Sequence, residues 1–248
     1  LNNAIGRFYN AMGVELRQGY GLTETSPVIS VNRENCNNPV TVGQPIPGLQ
    51  IRLGDMEELQ VKGPTVMKGY WKRPDATAEV FTEDGWFKTG DQADLSDAGR
   101  IRIKGRIKEI IVTSTGEKIP PTDMELAIQT DPLFEQVMVV GEARPFITAL
   151  AVVNEAEWEK FAKEFNVDPT DERMLMRRDI RMAALKRLKK AASRFPQYGI
   201  PRNIRLLKEH WTVDNGCLTV TMKLRRPIIR EKLRAEIDEL YTVPQNNV

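Results

Sequence analysis

The order of apolar and polar positions along the chain predicts two stretches with different secondary structure. Between residues 39 and 108, short alternating runs separated by Gly and Pro predict a small, distorted barrel or sheet. After residue 108, apolar residues recur at both strand and helix spacing, which predicts a smaller α+β domain. We therefore expect an α/β protein with two domains, residues 1–107 and 108–248, and a boundary at Gly105–Lys108.

Several elements are predicted within these stretches. The strands of the first stretch are expected at Gln50–Leu53, Glu58–Val61 and Arg100–Lys104. The third alternates cleanly between polar and apolar residues, and Ile107–Thr113 is expected to continue it as a hairpin across Gly105 and Arg106. The second stretch predicts a helix at about Met124–Thr130, strands at Gln136–Val140 and Thr148–Val153, and helices at Glu155–Phe165, Arg173–Phe195 and Pro227–Leu240.

The first ten residues predict part of an amphipathic helix. Ile5, Phe8, Tyr9 and Met12 follow helical spacing, and the segment has neither an initiator Met nor the basic and apolar regions of a signal peptide. We expect the chain to begin inside a domain.

Composition narrows the class of protein. The chain of 248 residues is 41% hydrophobic and 28% charged, as expected of a globular protein, and its formal net charge of +2 gives no indication of nucleic-acid binding. Cys36 and Cys217 lie far apart, which favours a reducing, cytoplasmic location over a disulfide framework or a zinc site. A single histidine, His210, argues against a multi-histidine metal site. No apolar run reaches the roughly 20 residues that span a bilayer.

The first candidate segment for chemistry reads Gln-Gly-Tyr-Gly-Leu-Thr-Glu-Thr. Gly19 and Gly21 allow the backbone to approach a planar ligand while the ring of Tyr20 covers its face. The neighbouring hydroxyl of Thr23 and carboxylate of Glu24 are suited to a phosphate and to Mg²⁺, respectively. The alternative is an ordinary turn with Thr23 as a helix N-cap.

Two further candidates lie before the predicted domain boundary. Asp91 follows a Thr-Gly turn and could accept both hydroxyls of a ribose, or it could simply form an Asx-turn. Arg106 precedes a run of charged and apolar residues, where an arginine could hold a ligand that spans two domains while the adjoining backbone acts as a pivot. Basic residues beside a hairpin are otherwise a solvated face.

The last candidate is Lys223, in the segment Asn215–Arg226. A lysine on a loop that begins with glycine can reach into a cleft as a mobile point charge.

The order and spacing of these segments resemble the adenylate-forming superfamily, which includes acyl-CoA synthetases, luciferases and peptide-synthetase adenylation domains. The resemblance runs through essentially the whole chain. It rests on Tyr-Gly-Leu-Thr-Glu at 20–24, Thr-Gly-Asp at 89–91, Gly-Arg-Ile-Lys-Glu at 105–109 and the lysine at 223. It implies the C-terminal portion of a large domain, including a distorted β-barrel, followed by a small mobile α+β domain.

The resemblance also implies roles for individual residues. Tyr20, between Gly19 and Gly21, would stack on adenine. Thr23 would contact ATP phosphate and Glu24 would help to hold Mg²⁺. The remaining roles are ribose binding by Asp91 and Arg106, a hinge at Lys108, a border of the pantetheine tunnel at Ser114–Lys118, including Gly116, and catalysis of adenylation by Lys223.

Within the superfamily, the amino-acid sequence at Gly116–Pro121 and Leu218–Arg226 resembles that of the long-chain acyl-CoA synthetases. This implies a ligase that uses ATP, a long-chain fatty acid and CoA, and releases AMP and pyrophosphate. Two alternatives remain: transfer of the acyl group to a carrier-protein thiol, and a nucleotide-binding module without chemistry. The family's phosphate-binding loop is expected upstream of these residues, so we expect the 248-residue chain alone to be inactive.

A basic amphipathic helix is predicted at Arg173–Phe195, with Ile180, Ala184, Leu188, Ala191 and Phe195 on one stripe. It could rest on an anionic membrane surface or attract the phosphates of CoA. The alternative is a domain helix with a solvated cationic face. Apolar surface exposed without the rest of the large domain would also favour self-association of this chain.

Overall fold

The protein divides into two compact units between Ile110 and Ile111. The computed structural model describes residues 3–242, so residues 1–2 of the predicted first helix and 243–248 of the predicted second domain lie outside the described part. No helix within residues 3–242 is long and apolar enough to cross a membrane.

The first unit is built mainly from short antiparallel strands. Its helices are α1 (Asn3–Ala11) and α2 (Pro74–Val80). Its strands are β1 (Gly19–Gly21), β2 (Val28–Val31), β3 (Gln44–Pro45), β4 (Gln50–Leu53), β5 (Glu58–Lys62), β6 (Phe87–Asp97) and β7 (Arg100–Arg106). They form one sheet in the order β1-β2-β3 and another in the order β4-β5-β6-β7.

Backbone hydrogen bonds link these two sheets into a curled arrangement. The Val42 amide donates to the Ile101 carbonyl at 2.8 Å, and the Ile101 amide donates to the Gly43 carbonyl at 2.8 Å. Alternating residues of the strands bury the core beneath them, which includes Ile29, Leu59, Val61, Ala93 and Ile101. The predicted distorted barrel and the mixed α/β class are confirmed.

The predicted hairpin between Arg100–Lys104 and Ile107–Thr113 is wrong. β7 pairs instead with β6, which precedes it, through the tight turn at Ala98 and Gly99. The chain leaves β7 through a single helical turn at Ile107–Glu109, and this turn removes the following apolar run from the sheet.

The amphipathic helix predicted at the start of the chain is present as α1. Its apolar side chains Ile5, Phe8 and Tyr9 are exposed and keep 44%, 60% and 42% of their surface accessible, and Met12, just after the helix, keeps 63%. The described part of the first unit therefore leaves this face of the helix exposed.

The second unit is a sheet between helices. Its strands are β8 (Ile111–Val112), β9 (Lys118–Ile119), β10 (Phe134–Val140), β11 (Thr148–Val153) and β12 (Asn203–Leu207). Its helices are α3 (Pro121–Ile128), α4 (Glu155–Glu164), α5 (Arg178–Ala191), α6 (Arg226–Lys232) and α7 (Arg234–Thr242). The main sheet has the order β10-β11-β12, antiparallel and then parallel, and β8 pairs with β9.

Both faces of the main sheet are covered, which explains the continuous apolar run of β11. Every residue of β11 is buried. Val139 and Ala151 pack on one side with Trp158, Ile180 and Leu188 of the α4 and α5 layer. On the other side, alternate strand residues pack against α6 and α7; this second cluster includes Met138, Leu150, Ile229 and Leu240.

Two predicted helices are each divided. In place of the helix predicted at Arg173–Phe195 there is a short 3₁₀ turn at Glu172–Met176 and then α5, because Arg177 between them has non-helical backbone angles, with φ of −59° and ψ of 133°. Pro227–Leu240 breaks at Leu233 into α6 and α7. The strand β12 was not predicted, although buried Ile204 and Leu206 alternate within it.

Candidate functional site

Tyr20 and Asp91 are joined across two strands of the first unit. The Tyr20 hydroxyl, on β1, donates a hydrogen bond to Oδ2 of Asp91, on β6. Burial of the ring and the charge of Asp91 raise the pKa of Tyr20 above its ordinary value. The phenol therefore keeps its proton at physiological pH and acts as a donor, and the hydrogen bond fixes the position of the ring.

Asp91 is also paired with Arg106, which lies directly opposite it in the β6–β7 ladder. Nε of Arg106 lies 2.9 Å from Oδ1 of Asp91, and a terminal nitrogen donates to the Thr89 carbonyl at 3.3 Å. The Asp91 side chain is 6% exposed, whereas that of Arg106 is 42% exposed. Because a carboxylate oxygen can accept more than one hydrogen bond, these contacts are compatible with the predicted binding of ribose hydroxyls.

The turn before Asp91 is held by side chains. The Thr89 hydroxyl donates to the Leu59 carbonyl at 2.7 Å, and Glu58 accepts a hydrogen bond from the Gly90 amide at 3.1 Å. Gly90 has φ of +72°, a left-handed conformation that favours glycine. The Thr-Gly-Asp sequence thus fixes the backbone that carries the carboxylate.

Gly21 is required by the close approach of another backbone segment. A Cβ atom at this position would lie 1.7 Å from the Pro27 carbonyl oxygen. Gly19 is less constrained, since its Cβ would lie 3.2 Å from the Ser30 carbonyl oxygen. The glycines beside Tyr20 therefore serve the packing of β1 against the chain that returns in β2.

Thr23 does not act as a helix N-cap, so that alternative is wrong. The position before the single 3₁₀ turn is Leu22, and the Thr25 hydroxyl accepts from the Leu22 amide at 3.0 Å and donates to the Leu22 carbonyl at 2.9 Å. Thr25 is fully buried, whereas Thr23 is exposed. Within residues 3–242, the Thr23 hydroxyl makes no hydrogen bond, so the predicted phosphate contact does not compete with a structural one.

Glu24 is held by a residue that the sequence did not indicate. Its Oε1 accepts a hydrogen bond from the Tyr70 hydroxyl at 2.8 Å, and its carbonyl accepts from the Met67 amide at 2.8 Å. Burial and this hydrogen bond raise the pKa of Tyr70, so the phenol stays protonated and donates. Tyr70 orients the carboxylate.

Glu24 fits the chemistry of a magnesium ligand. Mg²⁺ at nucleotide sites is commonly held by one or two carboxylates together with substrate phosphates, and a single half-buried carboxylate meets that need. Across residues 3–242, no group of three or more His, Cys, Asp or Glu side chains is placed to hold a metal ion. An ion at Glu24 would thus depend on phosphate oxygens for further ligands.

Three five-residue turns within residues 3–242 share one set of hydrogen bonds. In each turn the first residue is a threonine. Its hydroxyl accepts a hydrogen bond from the backbone amide of the fifth residue and also contacts the side chain of the third residue. Its carbonyl accepts a hydrogen bond from the backbone amide of the fourth residue. The turns are Thr82–Trp86, Thr113–Glu117 and Thr219–Lys223. The fourth residue has positive φ in all three.

The second of these turns contains Gly116 and the third places Lys223. Gly116 has φ of +84°, and a Cβ there would meet nothing within 4 Å. In the third turn the left-handed position is Met222, with φ of +61°, which costs a non-glycine residue on the order of 1 kcal/mol. Lys223 is exposed, and its ammonium has no ion pair among the described residues.

Lys108 lies in the helical turn Ile107–Glu109, between the end of β7 and the division of the two units after Ile110. Its side chain is exposed. This position is consistent with the predicted pivot, and the role of Lys108 as a hinge stays a prediction.

The structure brings Tyr20, Asp91 and Arg106 into one cluster of the first unit. Gly116 and Lys223 belong to the second unit and occupy separate turns of it. Sequence reasoning missed Tyr70 and Thr89. Thr89 lies inside the Thr-Gly-Asp motif, where its hydroxyl could have been considered as a support for the turn.

The fold is that of adenylation domains. The adenylation domain of carboxylic acid reductase from Segniliparus rugosus, solved with AMP and a co-purified carboxylic acid, superposes with a TM-score of 0.75. The two are 25% identical, and the match covers 95% of this chain and 37% of that one. Residues 1–71 match the family described as AMP-binding enzyme, and residues 108–244 match the AMP-binding enzyme C-terminal domain. The chain belongs to the AMP-binding enzyme family.

Two curated relatives indicate the branch of the family. A long-chain-fatty-acid–CoA ligase of Mycobacterium bovis, FadD15, is 37% identical over 97% of this chain. A chloroplastic long-chain-fatty-acid–[acyl-carrier-protein] ligase of Arabidopsis thaliana, AEE15, is 33% identical over 96% of this chain. This chain spans 40% of the length of the first relative and 34% of the second.

Proposed function

We propose that the protein activates a long-chain fatty acid with ATP and transfers the acyl group to CoA. The observation that carries the proposal is the cluster of Tyr20, Asp91 and Arg106, a hydrogen-bonded acid and cation beside an aromatic ring in a chain of the AMP-binding family. Such a cluster is suited to the base and the ribose of a nucleotide.

In the proposed first step, a carboxylate oxygen of the acid attacks the α-phosphorus of ATP. A new P–O bond forms, the bond to the β-phosphate oxygen breaks, and pyrophosphate leaves with the electron pair. Two anions must approach each other, so positive charge near the reacting atoms lowers the barrier. Lys223, exposed and without an ion pair in residues 3–242, supplies that charge in this proposal.

Other residues bind the nucleotide in the proposal. Tyr20 stacks on adenine, Asp91 and Arg106 hold the ribose hydroxyls, and Thr23 contacts phosphate. Glu24, oriented by Tyr70, contributes a ligand to Mg²⁺, which offsets phosphate charge when bound. Except for Thr23, these side chains are already held in place by hydrogen bonds and an ion pair within the first unit.

In the proposed second step, the sulfur of CoA attacks the acyl carbon of the adenylate. A C–S bond forms, the mixed anhydride breaks, AMP leaves, and the thiol proton passes to solvent. The turn at Thr113–Glu117, with Gly116 at its open left-handed position, borders the pantetheine arm. Lys108 acts as the pivot that separates the two half-reactions.

The acceptor and the scope of the chain are also proposals. The name of the plant relative, an acyl-carrier-protein ligase, favours a carrier-protein thiol as the second candidate acceptor. A nucleotide-binding module without chemistry is the third candidate. We infer that the 248 residues alone do not turn over, because the serine-, threonine- and glycine-rich phosphate loop of the family is not among them.

A cytoplasmic enzyme that contacts a membrane surface would meet a lipid substrate readily. The apolar stripe of α5 packs into the core through Ile180, Ala184 and Leu188, so it is not available to a bilayer. Exposed Arg178, Lys186 and Lys190 instead lie on the solvent side of the helix and have no ion pair within the described part of the chain. We therefore propose electrostatic contact with anionic lipid rather than insertion.

Vesicle sedimentation tests the contact. The chain is expected to sediment with vesicles that contain anionic lipid and to be released by salt, and replacement of the three basic residues by Glu should abolish this. Charge reversal at Lys160 and Lys163 of α4 is the matched control. Equal sedimentation with neutral vesicles would contradict electrostatic contact.

The exposed apolar face of α1 supports self-association of the chain. Analytical ultracentrifugation of the chain over a range of concentrations measures it directly.

Release of pyrophosphate tests the reaction. The protein at its natural length is supplied with palmitate, ATP and Mg²⁺, and Lys223→Ala is compared with Lys160→Ala as a control on α4. Acid-dependent release that collapses only in Lys223→Ala supports the proposal. Unchanged release removes Lys223 from the mechanism. Thioester formation with CoA, compared with a phosphopantetheinylated carrier protein, identifies the acceptor, and AMP binding without release under any condition favours the non-catalytic module.

A further inference from the structure

The turn that carries Lys223 differs from its two counterparts at one position. Gly85 and Gly116 hold the left-handed position in the turns Thr82–Trp86 and Thr113–Glu117, with φ of +80° and +84°. Met222 holds it in the third turn, with φ of +61°. Since the hydrogen bonds of the three turns match, glycine would satisfy the backbone here with less strain.

Packing within the second unit does not explain the methionine. Met222 is 69% exposed, and Val220, two residues earlier in the same turn, is 86% exposed. Neither side chain belongs to the hydrophobic clusters that the described residues form. The turn thus presents two uncovered apolar side chains beside a cation, at a position that also carries backbone strain.

We propose that Met222 and Val220 contact the aliphatic chain of the acid substrate next to its carboxylate, while Lys223 meets the carboxylate. This inference rests on the proposed function and adds to it two residues that determine specificity. The chemical match is direct: a fatty acid joins an anionic head to an apolar chain, and the turn joins an ammonium to two apolar side chains.

The apolar pair has a second effect in this arrangement. Contact with an alkyl chain removes water from around Lys223, and electrostatic attraction between an ammonium and an anion is stronger where water is excluded. Met222 therefore acts as a positioning and specificity residue, through substrate contact and the local environment of Lys223, and not as a proton donor or nucleophile.

Replacement of Met222 by Gly separates this role from folding. Glycine fits the left-handed position, so the melting temperature of the 248-residue chain should stay within about 3 °C of wild type. Met56 provides a matched control, since it also has positive φ, at +55°, and is 52% exposed. Met56→Gly makes the same chemical change at a position far along the chain from the reactive lysine.

The assay is acid-dependent pyrophosphate release by the protein at its natural length, with palmitate, octanoate and acetate. Met222→Gly should lower kcat/KM for palmitate by about tenfold or more and change that for acetate little, because lost apolar contacts discriminate by this order. Met222→Leu should restore most of the loss, and Met56→Gly should match wild type. Thioester formation from supplied palmitoyl-adenylate should be unaffected by Met222→Gly.

The outcomes distinguish this inference from the proposed function. If Met222→Gly lowers kcat/KM equally for all three acids, Met222 only shapes the turn. If it lowers kcat/KM for none of them, Met222 has no role in the reaction. Either result overturns this inference but leaves the proposed function in place, provided that Lys223→Ala still abolishes pyrophosphate release. If Lys223→Ala has no effect, the proposed function itself fails at this residue.

Discussion

The Tyr20 hydroxyl donates to the Asp91 carboxylate, although 71 positions separate the two residues in sequence. The contact ties the segment before the first short helical turn to the longest described strand of the first unit, β6. It makes the position of the ring and the position of the carboxylate depend on each other.

Tyr20→Phe should therefore destabilise the chain while keeping the ring. Asp91 remains buried and loses a donor, and hydrogen bonds to charged groups contribute about 1.5–3 kcal/mol. Equilibrium unfolding in urea measures the loss. Tyr9→Phe, at an exposed tyrosine, is the control and should leave the free energy of unfolding unchanged. Equal effects of the two changes would show that the contact contributes nothing to stability.

The raised pKa of Tyr20 predicts a loss of stability in alkali. Burial, followed by the charge of Asp91, keeps the phenol protonated in the folded chain, whereas an unfolded tyrosine ionises near pH 10. The contribution of protonated Tyr20 to the free energy of unfolding is thus complete below about pH 10. It declines above that pH, with a slope that approaches 1.4 kcal/mol per pH unit.

Comparison of wild type with Tyr20→Phe isolates this effect. Every other titratable group is common to both chains, so its contribution cancels in the comparison. The free energy of unfolding of wild type should fall more steeply than that of the variant between pH 10 and 11, as measured by urea titration at each pH. Parallel curves would contradict a raised pKa for Tyr20.

Part of this fold could be predicted because its pattern is local. The run Thr148–Val153 is continuously apolar, and the second unit buries it on both faces as β11. β6 was missed although its residues alternate between buried and partly buried, because polar Thr89 and Asp91 occupy two of the buried positions. A hydrophobicity pattern cannot distinguish such a strand from a loop.

The candidate site shows the same limit. Asp91 and Arg106 could be selected because each lies in a recognisable short motif, and their pairing follows from the β6–β7 register once that hairpin is known. Tyr70 could not be connected with Glu24, since 46 positions separate them and no local pattern relates them. Long-range side-chain contacts depend on the complete fold.

A buried ion pair of the second unit predicts a large effect on the free energy of unfolding. Arg226 donates two hydrogen bonds to Glu125, at 2.7 and 2.6 Å, and the Glu125 side chain is only 7% exposed. Arg226→Met should cost about 3–5 kcal/mol because it leaves a buried carboxylate without its cation. Chemical denaturation of the chain measures this loss.

A surface pair provides the control for this change. Arg173 is paired with Asp171 at 2.8 Å, but the arginine side chain is 86% exposed. Arg173→Met should therefore change stability little, since water screens the pair. The double variant Glu125→Met with Arg226→Met should recover part of the loss. A small effect of Arg226→Met alone would show that Glu125 is readily solvated.

Gly21→Ala should disrupt the segment that carries Tyr20. An added methyl group would lie 1.7 Å from the Pro27 carbonyl oxygen, and since that atom belongs to backbone, β1 and β2 must separate for it to fit. We expect a loss of more than about 2 kcal/mol in the free energy of unfolding, which is the range of overpacking in a rigid site.

Gly99→Ala is the control. The new Cβ has open space around it but requires φ of +74°, so backbone strain alone predicts a loss of about 1 kcal/mol. If Tyr20 positions a nucleotide, calorimetry on the natural-length protein should also show weaker AMP binding for Gly21→Ala and unchanged binding for Gly99→Ala. Equal losses of stability in the two variants would show that strand separation is not required, and the close approach at Gly21 would then have no consequence for the site.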